Sequence, residues 1–175
     1  GGGDGKIYEE LRYEGFGPGR VALILEITTD NRNRTAAEIR SLLGKNGGAL
    51  GETNSVTFLF ERRGEITYPA HTASADAMLE AAIEAGADDA ASSEDGHTIL
   101  TKPDDLAAVT TALETRFGDA AGFKLIWKPL TTVTLDLDTA RSLLALLDLL
   151  DEHDDVQAVY ANEDIPDDIL ATLDA

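Results

Sequence analysis

Three arginines fall in the stretch "TDNRNRTAAEIR", from Thr29 to Arg40, of a chain with 14 Lys plus Arg against 33 Asp plus Glu. Arg32 and Arg34 stand where turn formers give way to a helical pattern. There, guanidinium forks, free backbone amides and the helix dipole can converge on a phosphate or carboxylate. Arg40 and Lys45 continue the positive strip along the same helix. The same arginines could instead pair with nearby acids such as Glu26 or Glu38, and spacing alone leaves both readings open.

Other groups point to less chemistry. The glycines of "YEGFGPGR" (Tyr13 to Arg20) lack the phosphate-loop pattern and precede a strand, whereas a phosphate loop opens a helix, so a tight turn is expected. His71, His97 and His153 are far apart with no i, i+4 partner, so no metal site is expected. No serine lies in a nucleophile-elbow context. The acidic runs "DEHDD" (Asp151 to Asp155) and "EDIPDD" (Glu163 to Asp168) lack the register of a calcium loop and read as solvated faces. With no Cys there is neither disulfide nor thiolate ligand. These residues predict no cofactor, no small-molecule substrate and no catalysis.

The elements that must position these residues follow from patterning. Val21 to Thr29 is almost continuously apolar and β-branched, as in a strand buried on both faces. Thr35 and Glu38 form a T-x-x-E capping box, predicting a helix that begins there and stops at Gly47 and Gly48. "SVTFLF" (Ser55 to Phe60) reads as a strand closed by the turn "ERRG".

A second unit follows as strand 65–68, helix 74–85, strand 88–92, strand 97–101, helix 103–117 and strand 123–128. This is the β-α-β-β-α-β order of ferredoxin-like domains. Strand 131–135, a Leu-rich helix 138–153 and strand 156–160 complete the chain. The expected fold is α/β (α+β): two ferredoxin-like-type α/β sandwich domains, one inserted into the other. Residues 1–20 would be linker and entry turn, with 21–63 plus 130–175 a discontinuous central domain and 64–129 the insert. The opening "GGGDGKIYEE" reads as a linker remnant, and no apolar run reaches the roughly 20 residues a membrane span needs.

Charge sharpens the arginine question. Residues 1–63 carry nine basic and nine acidic residues, and the remainder supplies the whole net charge of −19. An anion-facing surface is therefore expected within the first 63 residues.

Five stretches, "YEGFGPG", "TDNRNRTAAEIR", "KNGGALGETNSVTFLFERRG" (Lys45 to Gly64), "EAAIEAGADD" (Glu80 to Asp89) and "DDVQAVYAN" (Asp154 to Asn162), resemble in order and content the YebC/PmpR family, whose mitochondrial members are the TACO-type translational activators. The resemblance implies a basic N-terminal helical domain, absent from this chain, followed by a split α/β domain and an inserted ferredoxin-like domain. It implies a cytoplasmic protein, or one of the mitochondrial matrix in a eukaryote. Its partner would be nucleic acid, either promoter DNA in transcription regulation or ribosomal RNA in relief of stalled translation, held mainly by the missing domain. Ribosomal proteins, met by the acidic surfaces, are further candidate partners. By motif match the nucleic-acid- or ribosome-facing residues are Arg32, Asn33, Arg34, Arg40 and Lys45. Arg20, which stands where the family commonly has Gly, adds a charge at the same edge.

Overall fold

The computed structural model describes residues 5–175. The elements in chain order are β1 (Glu9–Phe16), β2 (Ala22–Thr29), α1 (Arg32–Lys45), β3 (Ala49–Leu50), β4 (Phe60–Tyr68), α2 (Ala75–Ala85), β5 (Asp89–Ser93), β6 (Gly96–Thr101), α3 (Leu106–Phe117), β7 (Gly122–Pro129), β8 (Val133–Thr134), α4 (Leu137–Asp151), β9 (Val156–Ala161), β10 (Glu163–Asp164) and α5 (Asp167–Leu173). The result is a mixed α/β structure with two four-stranded antiparallel sheets, ordered β3-β1-β2-β9 and β5-β6-β4-β7, and a small parallel pair of β8 with β10. The chain divides into two compact units, residues 1–61 with 129–175, and residues 62–128.

In the first unit β2 is central because its residues are apolar on both faces. Leu23, Leu25 and Ile27 pack with Ile39 and Leu43 of α1 and with Leu143, Leu146 and Leu150 of α4. On the opposite face, Ile24 is fully buried and lies in register with Glu14 of β1 and Tyr160 of β9. Glu14 explains what covers that face. Its carboxylate accepts hydrogen bonds from the amides of Asn54 (2.6 Å), Val56 (3.0 Å) and Thr57 (2.9 Å), and Val56 is completely buried.

Several expectations change here. Residues 9–16, expected as entry linker, form a full strand paired to β2 from Glu9↔Thr29 to Phe16↔Ala22. Residues 55–59 are not a strand. They make a loop and a 3-10 turn (Thr57–Leu59) because their amides are engaged by Glu14 rather than by a ladder. "ERRG" is no turn but lies inside β4, which runs unbroken from Phe60 to Tyr68. Residues 131–135 supply only the two-residue β8, which pairs with β10 outside the main sheet. The "EDIPDD" run falls in β10 and the start of α5, an element that the sequence patterning did not predict.

Two turns fix the helical layer. After α1, Gly47 takes φ 82° and the Gly48 amide reaches back to the Leu43 carbonyl at 2.8 Å, the Schellman closure that the left-handed residue permits. A Cβ on Gly48 would stand 2.1 Å from the Phe16 carbonyl oxygen, so the β1–β2 turn and the end of α1 meet backbone to backbone. That turn holds Gly19 at φ 76° and Arg20 at φ 64°.

The inserted unit has the strand order β5-β6-β4-β7 with α2 and α3 on one face. Ile66, Tyr68, Met78, Ala82, Ile99, Val109 and Leu113 form its core. Ser74 caps α2 by accepting from the Ala77 amide at 3.1 Å, and Gly86 ends it at φ 100°.

Burial pushes the Glu14 carboxyl up, but the Val56, Asn54 and Thr57 amides and the Arg12 charge outweigh it, leaving Glu14 below the ordinary glutamate value. A carboxyl with a depressed folded pKa contributes stability above its unfolded pKa and loses it as pH falls through the folded one. Glu14→Gln is therefore expected to cost on the order of 2 kcal/mol at neutral pH, measured by urea unfolding, with the gap to wild type closing toward acid pH. Arg20→Gly relieves a left-handed strain of about 1 kcal/mol, partly offset by glycine's unfolded-state freedom. A small rise in melting temperature is expected.

Candidate nucleic-acid interface

Helix α1 starts four residues earlier than the capping box predicts. Asn31, extended at φ −151°, is the cap, and its Oδ1 accepts from the Arg34 amide at 3.1 Å. Thr35 lies inside the helix, fully buried. Its hydroxyl donates to Asp155 Oδ2 at 2.7 Å and also meets Thr29 Oγ1 at 2.7 Å. Glu38 does not reach back to a backbone donor but takes Arg34 and His153. The spacing suits a capping box, yet the Asp155 carboxylate claims the hydroxyl.

Arg34 is the hub of this cluster. Its Nη1 donates to both Glu38 oxygens at 3.1 Å, and its Nη2 donates to Asp155 at 2.9 Å and to Asp30 and Thr29 Oγ1 at 3.3 Å. The Glu38 and Asp155 bonds hold its pKa above the usual arginine value. Burial pushes Asp155 up, but Thr35 and Arg34 more than reverse this and keep it below the ordinary aspartate value. The His153 hydrogen bond, then Arg34, lowers Glu38 likewise. Asp155 belongs to the "DEHDD" run expected to be solvated. It is instead the partner that ties β9's entry to α1.

His153 completes the arrangement. The Asp155 amide donates to its Nδ1 at 3.1 Å, so the neutral ring carries its proton on Nε2 and donates to Glu38 Oε2 at 2.6 Å. Ligand atoms of Glu38, His153 and Asp155 lie within 4.8 Å of one another, a spacing a metal ion could use. Such an ion would have to displace the Nε2 proton and the Arg34 fork. The adjoining cleft of about 610 Å³ is lined by five carboxylates, Asp30, Glu38 and Asp155 among them, against Lys6 and Arg34. That balance disfavours a phosphate.

The other sequence-derived residues spread along α1. Arg32 pairs with Glu9 at 3.2 Å, while its carbonyl accepts from the Tyr13 hydroxyl. Asn33 and Arg40 are exposed and, seven residues apart, share the outer face, with the small exposed Ala37 between them. Lys45 is exposed in the last turn. Arg20 projects from the β1–β2 turn, where Pro18 packs against Gly47, so Arg20 and Lys45 mark the same end of the helix. The candidates thus spread over about 20 Å of helix rather than forming a pocket, with Lys45 turned about 140° around the axis from Arg40 and Arg34 diverted into ion pairs. Spacing offers the Glu38 part of that diversion but not the Asp155 part, which comes from 121 residues away.

Thr35→Val removes a hydroxyl donor from Asp155 and is expected to cost on the order of 1–2 kcal/mol in chemical unfolding. Arg34→Lys, which keeps the charge but loses the fork, is expected to lower the melting temperature nearly as much as Arg34→Gln. Wild-type stability in both Arg34 variants would contradict the role given to this arginine.

The family model described as "TACO1/YebC second and third domain" matches residues 8–163. Among solved structures, the crystal structure of a conserved hypothetical protein from Aquifex aeolicus is similar at 45% identity and a TM-score of 0.89, covering 95% of this chain and 69% of that one. The match runs through both units and includes β1, α1 and the approach to β9. This chain belongs to the TACO1/YebC family, a family of transcriptional-regulator-like character.

Proposed function

We propose that this chain is the non-catalytic portion of a nucleic-acid-binding regulatory protein, and that the outer face of α1 is where it meets a phosphate backbone. The observation that carries this reading is the disposition of cations on α1. Once Arg34 is assigned to its carboxylates, exposed Arg40 and Lys45, with Asn33 as a neutral donor, remain on a helix with no core role for them. Family membership supports a regulatory role, on promoter DNA or on ribosomal RNA. Phosphate is common to both targets, so the α1 face suits either. The net charge of −19 makes the grip of this chain weak, so most of the affinity belongs elsewhere in the protein.

The test is crosslinking of the full-length protein in cells, comparing wild type with Arg40→Glu plus Lys45→Glu. Recovery of DNA or ribosomal RNA is expected to fall several-fold in the variant. In vitro, each lost phosphate contact should flatten the log–log salt slope by about 0.9 on duplex DNA. Recovery of neither nucleic acid from wild type, or equal recovery from the variant, would overturn the reading.

A further inference from the structure

Linear charge counting assigns every anion-facing surface to the first 63 residues, but the fold redistributes the charges of the inserted unit. Residues 62–128 contain six cationic residues, and four of them, Arg62, Arg63, Lys124 and Lys128, lie in the neighbouring strands β4 and β7. Of the twelve carboxylates in the same range only Glu65 lies in either strand, and Glu61 at the start of β4 is the one other acid they carry. Arg63 is committed to Asp88 at 3.0 Å. Lys124 and Lys128 are exposed on β7, which is an edge strand of the sheet.

The aromatic residues divide in the same way. Tyr68 and Phe117 meet edge to face inside the unit, at a centroid distance of 5.9 Å. Phe123 and Leu125 of β7 are 58% and 40% exposed, and Trp127 carries the Arg62 guanidinium 4.8 Å from its ring centroid. Edge strands commonly carry lysines that block pairing with other chains. That accounts for Lys124 and Lys128 but leaves an outward Phe and Leu beside them unexplained. Successive side chains of a strand leave opposite faces, so Phe123, Leu125 and Trp127 share one face and Lys124 and Lys128 the other. At a sheet margin an unpaired strand can lie with its bases on the rings while the long lysines reach its phosphates from the other side of the edge.

We propose that the β7 margin, "FKLIWK" from Phe123 to Lys128, binds an unpaired stretch of nucleic acid. Lys124 and Lys128 take phosphates, and Phe123 and the Arg62–Trp127 stack take bases. The strand is about 25 Å long, room for about four nucleotides. A duplex fits less well. Its bases are not free to stack, and its denser charge meets stronger repulsion from an acidic protein. This surface is independent of the α1 face.

Trp127 is the single tryptophan, so its emission reports the site directly. The 175-residue chain is titrated at low salt with oligouridylate, oligothymidylate, a duplex of equal length and an acidic peptide. The expected result is quenching by either single strand that salt reverses and that neither the duplex nor the peptide reproduces. Phe123→Ala, and separately Lys124→Glu with Lys128→Glu, should each weaken binding about tenfold, whereas Lys102→Glu, which removes an exposed cation of the same unit away from β7, should leave it unchanged. Circular dichroism confirms folding, and should Phe123→Ala misfold, the exposed lysine pair decides. Unquenched emission with single strands, equal quenching by duplex or peptide, or full binding by the folded lysine variant would overturn the proposal.

Discussion

The first unit depends on one buried carboxylate. Glu14 is almost fully excluded from solvent yet accepts from three amides of one loop, those of Asn54, Val56 and Thr57. A charge in such a place is expensive unless every lone pair is used, and the loop's amides would be equally expensive without an acceptor. Each defect removes the other. The bond holds residues 52–57 over the sheet face opposite the helices, and Ile24 and Val56 then reach complete burial. The central strand can be apolar on both faces only because this lid exists. Asn162 adds a similar clip at the other side of β2, accepting from the Ala22 amide at 2.8 Å while donating to the Thr131 carbonyl.

The Arg34 cluster repeats this logic at the start of α1. Asp155, 14% exposed at its side chain, is satisfied by Thr35 and Arg34, which come from a segment far away in sequence. The stretches that identify the family are thus largely accounted for by structure. "YEGFGPG" supplies Glu14 and the close-packed turn, "TDNRNRT" the cap and the ion-pair hub, and "DDVQAVYAN" the Asp155 and Asn162 partners. Surfaces available for a macromolecular partner lie beside these motifs, on the outer side of α1 and along β7. A motif can mark a family strongly and still present few of its side chains outward.

What patterning could read was set by how local the cause was. β2, α4 and the elements of the inserted unit after β4 announce themselves through apolar period and caps such as Ser74, and they fall within a few residues of expectation, whereas β4 begins five residues before the expected 65. β1 carries the apolar–charged alternation of a strand only over Leu11 to Glu14, a stretch cut short by Gly15 and the glycine-rich turn, and nothing local says that Glu14 will be buried. Residues 55–59 have strand composition, and only the distant Glu14 turns them into a loop. Arg34 has acids four residues away on both sides, Asp30 and Glu38, and Arg40 has none, but only the distant Asp155 completes the set of ties that makes Arg34 structural. The lysines of β7 were invisible for the opposite reason: counting along the chain averaged them with acids that the fold sends to other elements.

The pairing of β2 with β9 joins Leu23 to Ala161 across the whole inserted unit. As the chain leaves the ribosome, β2 waits with one edge bare while well over a hundred residues are synthesised, exposing a sticky apolar strand in the interval. The insert has its own core and can complete itself during that wait. By folding first it shortens the effective loop that β9 must close, so the order of synthesis turns a costly long-range closure into the docking of a last short segment.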